Sequence, residues 1–309
     1  MLGSETTESH RTRFGKISFG LTTDAEPDTV GRHRKQEHFL ETHHSNRFDR
    51  DTAVTLVEEG TYSTRFDPGW WIIRGPNGGY LAAILQRAIT AAVDDVARLP
   101  RSLTVHYTSP PTEGEALIET RVERRGGSLS TVTARVTQAG KLRALALAAC
   151  STPRESHAFY HAEMPDVPPA DSLARGEAAI PLHERYDYRF IPSMQPNAAN
   201  ETAVMAAWIR PETPRPLDHP LLAAYSDALP PAVFARAHRD QALGALPTVD
   251  LTIHYRMDPA ETGVRDDEHC LAIFRSRLAH GGYIEEDGEI WSADGQLLAQ
   301  SRQLAVILG

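Results

Sequence analysis

Cysteine and long hydrophobic runs are both scarce in this sequence. Its 309 residues include two cysteines, Cys150 and Cys270, each inside an apolar segment of strand-like pattern. Neither a disulfide framework nor a cysteine metal site can be built from them, so we expect a reducing, cytoplasmic compartment. The longest uninterrupted apolar run, residues 144–150, has seven residues, whereas a membrane span needs ~18. We therefore expect no membrane partner, and the polar N-terminus does not resemble a signal peptide.

Positive charge is in deficit. Lys and Arg number 32 against 41 Asp and Glu, which gives a formal net charge of −9. That balance excludes a broad nucleic-acid-binding surface, so no nucleic-acid partner is expected. The motifs GxSxG, HExxH, CxxC, GxGxxG and the phosphate-binding P-loop are also absent. Their absence removes most hydrolase, zinc-enzyme and nucleotide-dependent classes. Catalytic groups must then come from polar residues placed within apolar elements.

Composition divides the chain into four segments. The first is polar, shows neither helical nor strand periodicity, and predicts an N-terminal extension. It contains His38, His43 and His44, but histidines in polar tails are usually solvated, so no metal site is expected there. The third segment holds seven of the 21 prolines and predicts a linker over the surface. The segments are 1–48, the folded unit 49–152, the linker 153–200 and the folded unit 201–309.

A five-residue motif occurs twice. LTVHY at 103–107 recurs as LTIHY at 251–255, an offset of 148. The glycine pairs at 126–127 and 281–282 have an offset of 155, which a seven-residue insertion within the acidic stretch 261–269 explains. The two folded units are therefore copies of one structural unit, and matching positions in them can be compared.

Periodicity predicts the same order of elements in both copies. After Gly78-Gly79, apolar residues recur at three- and four-residue steps as far as Val96, which predicts a helix with a buried face. In the second copy, a helix over residues 220–237 is expected, interrupted by two consecutive prolines. Alternating segments predict strands at 52–62, 102–109, 115–123, 129–137, 142–150, 203–209 and 298–308. This order favours an α+β fold in which an antiparallel sheet curls around a central helix.

Three polar residues of the second copy are candidates for catalysis. Asp227 lies in the apolar run AYSDAL, where a carboxylate is costly unless it is paired or used. Thr248 begins the repeated strand and Gln303 lies in the closing strand. Together the three side chains could fix and polarise a water molecule. Taken singly, each has a plain alternative, because Asp227 could cap a helix and the other two could be ordinary strand residues.

The segment GPNGGY precedes the first helix. Gly78 and Gly79 allow a ligand to approach the backbone closely, and the amides of Gly78, Gly79 and Tyr80 lie at the positive end of the helix dipole. The alternative is an ordinary turn in which Asn77 caps the helix. These residues alone favour neither interpretation.

With these pieces in order, the sequence resembles the acyl-CoA thioesterase II type of the double hotdog, thioesterase-like superfamily over roughly residues 50–309. GPNGGYLAAIL resembles the glycine-rich start of that family's first central helix. Asp227 in YSDAL, Thr248 in LPTVDLTIHYR and Gln303 in DGQLLAQSRQLAVIL resemble the family's Asp, Thr and Gln, in the same order. The long polar N-terminus and the proline-rich linker depart from the family's compact form.

The resemblance implies a double hotdog, two antiparallel sheets joined side by side, each wrapped around a helix. It implies hydrolysis of acyl-CoA thioesters without a cofactor, in lipid metabolism, by a homo-oligomer. Asp227 would accept a proton from water held by Thr248 and Gln303, and amides at Gly78, Gly79 and Tyr80 would stabilise the oxyanion.

Two other functions remain open. One is a noncatalytic acyl-CoA or lipid-binding module with the same fold. The other is a hotdog hydratase or dehydratase, which would need an acidic partner beside His254, and no such partner is apparent. Under the thioesterase interpretation we expect a single active site per chain, since the first copy carries Gly79, Arg101 and Ala148 at the positions of Asp227, Thr248 and Gln303.

Overall fold

A computed structural model describes residues 46–73, 75–236 and 244–308. The predicted polar extension, including His38, His43 and His44, lies outside the described residues as far as position 45. None of the helices within these ranges is long and apolar enough to cross a membrane. The α-helices are α1 Arg47–Asp51, α2 Gly78–Val93 and α3 His219–Tyr225.

The strands form one antiparallel sheet. Their bounds are β1 Thr55–Glu58, β2 Thr61–Phe66, β3 Leu99–Tyr107, β4 Gly114–Arg125, β5 Leu129–Gln138, β6 Lys141–Ser151, β7 Tyr186–Phe190, β8 Ala203–Pro211, β9 Thr248–Tyr255, β10 Cys270–Ser276, β11 Ala279–His280, β12 Tyr283–Trp291 and β13 Leu297–Val306. They lie side by side in the order β1-β2-β4-β5-β6-β3-β9-β13-β12-β10-β8-β7, and β11 pairs with β12. The strand predicted at 52–62 is thus the start of a hairpin, β1 and β2.

The two halves of the sheet join through the repeated motif. Strands β3 and β9 pair antiparallel, with Leu103 opposite Ile253 and Thr104 opposite Thr252. The hydroxyl oxygens of Thr104 and Thr252 lie 3.0 Å apart. Because these threonines occupy the same position in the two copies, the motif pairs with itself about a pseudo-twofold axis. Residues 148 apart in sequence therefore meet near that axis.

Helix α2 is the central helix of the N-terminal half. Asn77 caps it by accepting a hydrogen bond from the Tyr80 amide, and most of its side chains are buried. The helix ends at Val93 because Asp94 adopts a left-handed conformation, with φ of 47°. Val96, which the periodicity assigned to the buried face, lies beyond this end and is fully exposed. The prediction was wrong there, since the periodic pattern continues past the residue that stops the helix.

The helical segment of the C-terminal half is broken, as the prolines predicted. Helix α3 begins after Asp218, whose carboxylate accepts from the Leu221 amide, and it ends at Tyr225. A short 3-10 helix follows at Ala232–Ala235, just past Pro230 and Pro231. Two prolines in succession leave backbone carbonyls without amide donors, so a continuous helix cannot form. Residues 237–243 lie outside the described ranges.

The proline-rich segment 153–200 does more than connect the halves. It supplies β7, which pairs with β8 at the edge of the sheet. The part before β7 packs against the outer sheet face of the C-terminal half, and the Trp208 indole donates to the Pro168 carbonyl at 2.8 Å. A second hydrophobic cluster forms under this cover, separate from the main core around the helices; its buried members are Ile191, Ala206, Trp208, Leu271, Ile273, Trp291 and Leu297.

Candidate active site

The start of α2 meets the turn that follows α3. A Cβ atom at residue 79 would lie 2.5 Å from the carbonyl oxygen of Ala224, so the two helices approach this closely because Gly79 has no side chain. Residue 78 is also constrained, since its Cβ would lie 2.9 Å from Asp227 Oδ2. The glycine pair thus brings the amide end of α2 against Asp227.

Asp227 is held at this junction by hydrogen bonds. Its Oδ2 accepts from the Asn77 side-chain amide at 2.9 Å and from the Gly79 backbone amide at 3.1 Å. Asn77 Nδ2 also donates to the Asp227 carbonyl at 2.6 Å, while its Oδ1 caps Tyr80. Asn77 is therefore both the helix cap, as one interpretation of this segment predicted, and a partner of the Asp227 carboxylate. The approach of a ligand to Gly78 and Gly79 stays a prediction.

The electrostatics of Asp227 suit proton transfer. Burial raises the pKa of its carboxyl to about 6, even though hydrogen bonds from Gly79, Gln303, Gly78 and Asn77 act in the opposite direction. A carboxylate with a pKa near neutrality can accept a proton during a reaction and release it afterwards.

Thr248 and Gln303 lie together on neighbouring strands. The Thr248 hydroxyl donates to Gln303 Oε1 at 3.0 Å. Gln303 is 8% exposed, so it does not face solvent as its alternating pattern allowed. Its side chain also lowers the pKa of Asp227 by hydrogen bonding. The structure therefore brings Asp227, Thr248 and Gln303 into one cluster.

Glu286 joins this cluster and was not predicted from sequence. It lies directly across from Gln303 in the pairing of β12 with β13. Its Oε1 accepts from the Gln303 side-chain amide at 2.6 Å, and its Oε2 accepts from the Ala232 backbone amide at 2.5 Å. Burial raises the pKa of the Glu286 carboxyl to about 7. The buried Glu286 carboxyl thus holds the side-chain amide of Gln303, which lowers the pKa of Asp227.

Tyr107 closes another side of the site and was also missed. Its hydroxyl donates to the Gly78 carbonyl at 2.8 Å. Burial and the charge of Asp227 raise its pKa. The counterpart in the second copy, Tyr255, instead donates to Gln86 Oε1 inside α2 at 3.0 Å. The tyrosine that ends both repeated motifs therefore contacts the site in the first copy and the buried face of α2 in the second.

The amides expected to bind an oxyanion are not equally available. The Gly79 amide donates to Asp227 and the Tyr80 amide donates to the cap residue Asn77. The Tyr80 ring is a core group, stacked on Trp70 at 5.0 Å between ring centroids. Its hydroxyl donates to the Asp51 carbonyl at 2.7 Å. The end of α2 formed by Gly78 and Gly79 is what faces the cluster.

The matching positions of the first copy hold no such cluster. Arg101 Nε donates to the Ser151 hydroxyl at 3.0 Å, and Ala148 is buried opposite Val132. His254 is exposed on β9, whose Leu251 and Ile253 point into the core. Within the described part of the chain, no group of three His, Cys, Asp or Glu side chains could hold a metal ion.

Two known domain families match this chain, one over each half. The acyl-CoA thioesterase N-terminal domain matches residues 67–152, and the acyl-CoA thioesterase C-terminal domain matches residues 161–307. A comparison with curated proteins gave no match.

Solved structures show the same architecture. A conserved protein of unknown function with a hot dog fold from Alicyclobacillus acidocaldarius is 29% identical, with a TM-score of 0.77, over 86% of this chain and 99% of its own. A putative thioesterase II from Thermobifida fusca YX is 30% identical, with a TM-score of 0.75, over 85% of this chain and 98% of its own. The acyl-CoA thioesterase II TesB2 from Mycobacterium marinum shares the fold, with a TM-score of 0.69 and 20% identity. The match covers 84% of this chain and 98% of TesB2.

The chain is a double hotdog protein of the α+β class. Within that class it belongs to the acyl-CoA thioesterase II family.

Proposed function

We propose that this protein hydrolyses acyl-CoA thioesters to a free acid and CoA, with Asp227 as the general base. Thioester hydrolysis in general follows from the family; the substrate and the roles of individual residues are the proposal. One observation carries it: a half-buried carboxyl with a pKa of about 6 lies against a helix amino terminus and beside a Thr–Gln pair.

In the proposed reaction, a water molecule lies between Asp227, Thr248 and Gln303. Its oxygen attacks the thioester carbonyl carbon as Asp227 accepts one of its protons. The Thr248 hydroxyl donates its hydrogen to Gln303. The lone pairs of the Thr248 oxygen therefore remain to accept a hydrogen bond from the water and orient it. A thioester is already activated toward attack, so a positioned water can replace a covalent nucleophile. No cofactor is required for this chemistry.

Negative charge on the carbonyl oxygen would develop near Gly78 and Gly79. Their amides already stabilise one anion, the Asp227 carboxylate, which supports the ability of this helix end to hold negative charge. As the tetrahedral intermediate collapses, the C–S bond breaks and Asp227 returns its proton to the departing thiolate. The Gly79 amide donates to the Asp227 carboxylate and is released when that group accepts the proton, whereas the Tyr80 amide stays bonded to Asn77, so Tyr80 is left out of this role.

Release of free thiol from a panel of acyl-CoA esters of increasing chain length tests this proposal. We expect thiol and free acid to appear in equal amounts for at least one chain length, without added metal or nucleotide. Acyl-CoA binding with no thiol release for any ester would show a noncatalytic acyl-CoA-binding module instead.

A hotdog hydratase or dehydratase is less well supported. That chemistry needs a histidine beside the carboxylate, yet His254 is exposed and the hydrogen-bond partners of Asp227 among the described residues are amides. Formation of a homo-oligomer, a cytoplasmic location and a role in lipid metabolism stay predictions.

A further inference from the structure

Glu286 stands out from the acidic run in which it occurs. On β12, Glu285 accepts from the Arg277 and Leu278 amides, and Asp287 pairs with Arg302. Side chains alternate between the faces of a strand, so Glu286 alone points inward and is 6% exposed.

Among the described residues, no Lys, Arg or His forms an ion pair with Glu286. Its pKa is raised by burial and by the neighbouring acidic residues Asp227 and Glu285. Its two oxygens are instead occupied by two amide donors, from Gln303 and Ala232. Burying a carboxyl in this way is costly unless the group has a use.

The consequence for Gln303 is a fixed orientation. A glutamine side chain has one end that donates and one that accepts, and the two can exchange by rotation. Glu286 accepts from the Nε2 end at 2.6 Å, and this leaves Oε1 to accept from Thr248 at 3.0 Å. With the amide reversed, Oε1 would face the Glu286 carboxylate and the Thr248 hydroxyl would lose its acceptor. The direction of the Thr248 hydroxyl therefore depends on Glu286.

We propose that Glu286 is a positioning residue that acts through Gln303 to orient Thr248. This inference rests on the proposed function, because it assigns Glu286 to the same water site.

Glu286→Gln is the direct test, with Glu289→Gln as its matched control. Glu289 lies on the same strand, on the opposite face, and pairs with Arg275 at 2.9 Å. The glutamine at 286 places a donor against either Gln303 or Ala232, so we expect kcat to fall roughly 10-fold, within the ~10² that a 1 Å misplacement can produce. KM should be unchanged, and so should the acidic limb of the pH profile, since Asp227 keeps its role as base. Glu289→Gln should match wild type in all three measurements.

A double variant shows whether Glu286 acts through Gln303. In a Gln303→Leu background, Glu286→Gln should lower kcat no further, since the amide that it orients is gone. The same loss in both backgrounds would overturn the inference. Should Glu286→Gln fail to fold, Glu286→Met removes the carboxyl with a side chain suited to an apolar core, and the same fall in kcat at unchanged KM is expected.

Asp227→Asn, measured in parallel, separates this inference from the proposed function. If Asp227→Asn is inactive while Glu286→Gln keeps the kcat of wild type, Glu286 has no positioning role and the proposed function stands. If Asp227→Asn keeps wild-type activity, the proposed function itself fails. A Glu286→Gln variant as inactive as Asp227→Asn and lacking the acidic limb would make Glu286 a proton acceptor, which also contradicts the positioning role.

Discussion

The two halves of the sheet share the same arrangement of strands but place different side chains next to the helices. Where the N-terminal half pairs Val132 with Ala148, the C-terminal half pairs Glu286 with Gln303. The first pair is apolar and buried; the second is a hydrogen-bonded carboxyl and amide. The central helices differ as well, since α2 has 16 residues and α3 has seven.

This difference indicates how the two copies of a duplicated unit can supply different parts of one site. An uninterrupted helix in one half supplies a rigid amino terminus, while the broken helix in the other half leaves Asp227 at a turn facing that terminus. Gly79 and Asp227 occupy the same position in the two copies and meet across the pseudo-twofold axis, with the Gly79 amide 3.1 Å from Asp227 Oδ2. Only one of two residues at such a contact can be the carboxylate, so the halves have to be unlike there. The following predictions test this asymmetry, beginning with the largest effect.

Asp227→Asn should lower kcat by ~10² to 10⁴, the usual contribution of a general base. The variant keeps the shape of the side chain, so thermal unfolding should change little. Asp267→Asn is the control, because Asp267 is an exposed residue paired with Arg265 at 3.3 Å. Thiol release measures both, and a kcat for Asp227→Asn within a few-fold of the control would remove Asp227 from the mechanism.

Gly79→Ala should destabilise the fold by ~1 to 3 kcal/mol, because its Cβ would be forced to within 2.5 Å of the Ala224 carbonyl oxygen. Gly127→Ala provides the comparison, since its Cβ would have no neighbour within 4 Å. Chemical denaturation gives both free energies of unfolding. Equal stability of the two variants would mean that the close approach of the helices does not depend on a glycine.

Thr248→Val and Gln303→Leu should each lower kcat about 10-fold, the equivalent of one hydrogen bond of ~1.4 kcal/mol. The Thr248 hydroxyl donates to Gln303, so the losses should not add, and the double variant should resemble the worse single one. Steady-state kinetics on the three variants measure this coupling. Fully additive losses would indicate that the two side chains act separately.

The pH dependence of kcat/KM gives the smallest expected effect. Burial raises the pKa of Asp227 to about 6, and the base must be ionised to accept a proton. Activity should therefore rise with pH through about 6 and be level above it, with half of the maximum near the pKa. A profile that is flat between pH 5 and 8 would contradict the assignment of Asp227 as base.

Much of the sheet could be predicted from the sequence, because alternation marks strands and the LTVHY repeat marks the join between halves. The cluster of Asp227, Thr248 and Gln303 could be proposed because the other copy has Gly79, Arg101 and Ala148 at these positions, and none of them can position or deprotonate a water molecule. Glu286 could not be found in this way. It lies between two other acidic residues, so the run looks solvent-exposed, and its inward direction depends on strand register with Gln303.

Local sequence was also insufficient where backbone geometry decides the outcome. The end of α2 depends on the left-handed conformation of Asp94, which leaves Val96 outside the helix despite its fit to the pattern. Strand β7 lies in a segment whose prolines suggested only a linker, yet an edge strand needs pairing on one side alone, and β8 provides it. Tyr107 and Tyr255 look the same in sequence and differ only in what each copy packs against them.

We infer that the chain carries one active site, which the C-terminal half forms together with the amino terminus of α2 from the N-terminal half. Calorimetric titration of the wild-type chain with a nonhydrolysable thioether analogue of a hydrolysed acyl-CoA tests it most directly. We expect one analogue bound per chain, with a changed dissociation constant in Gln303→Leu. Two equivalent analogues bound per chain would contradict it, since the first copy would then hold a site at Gly79, Arg101 and Ala148.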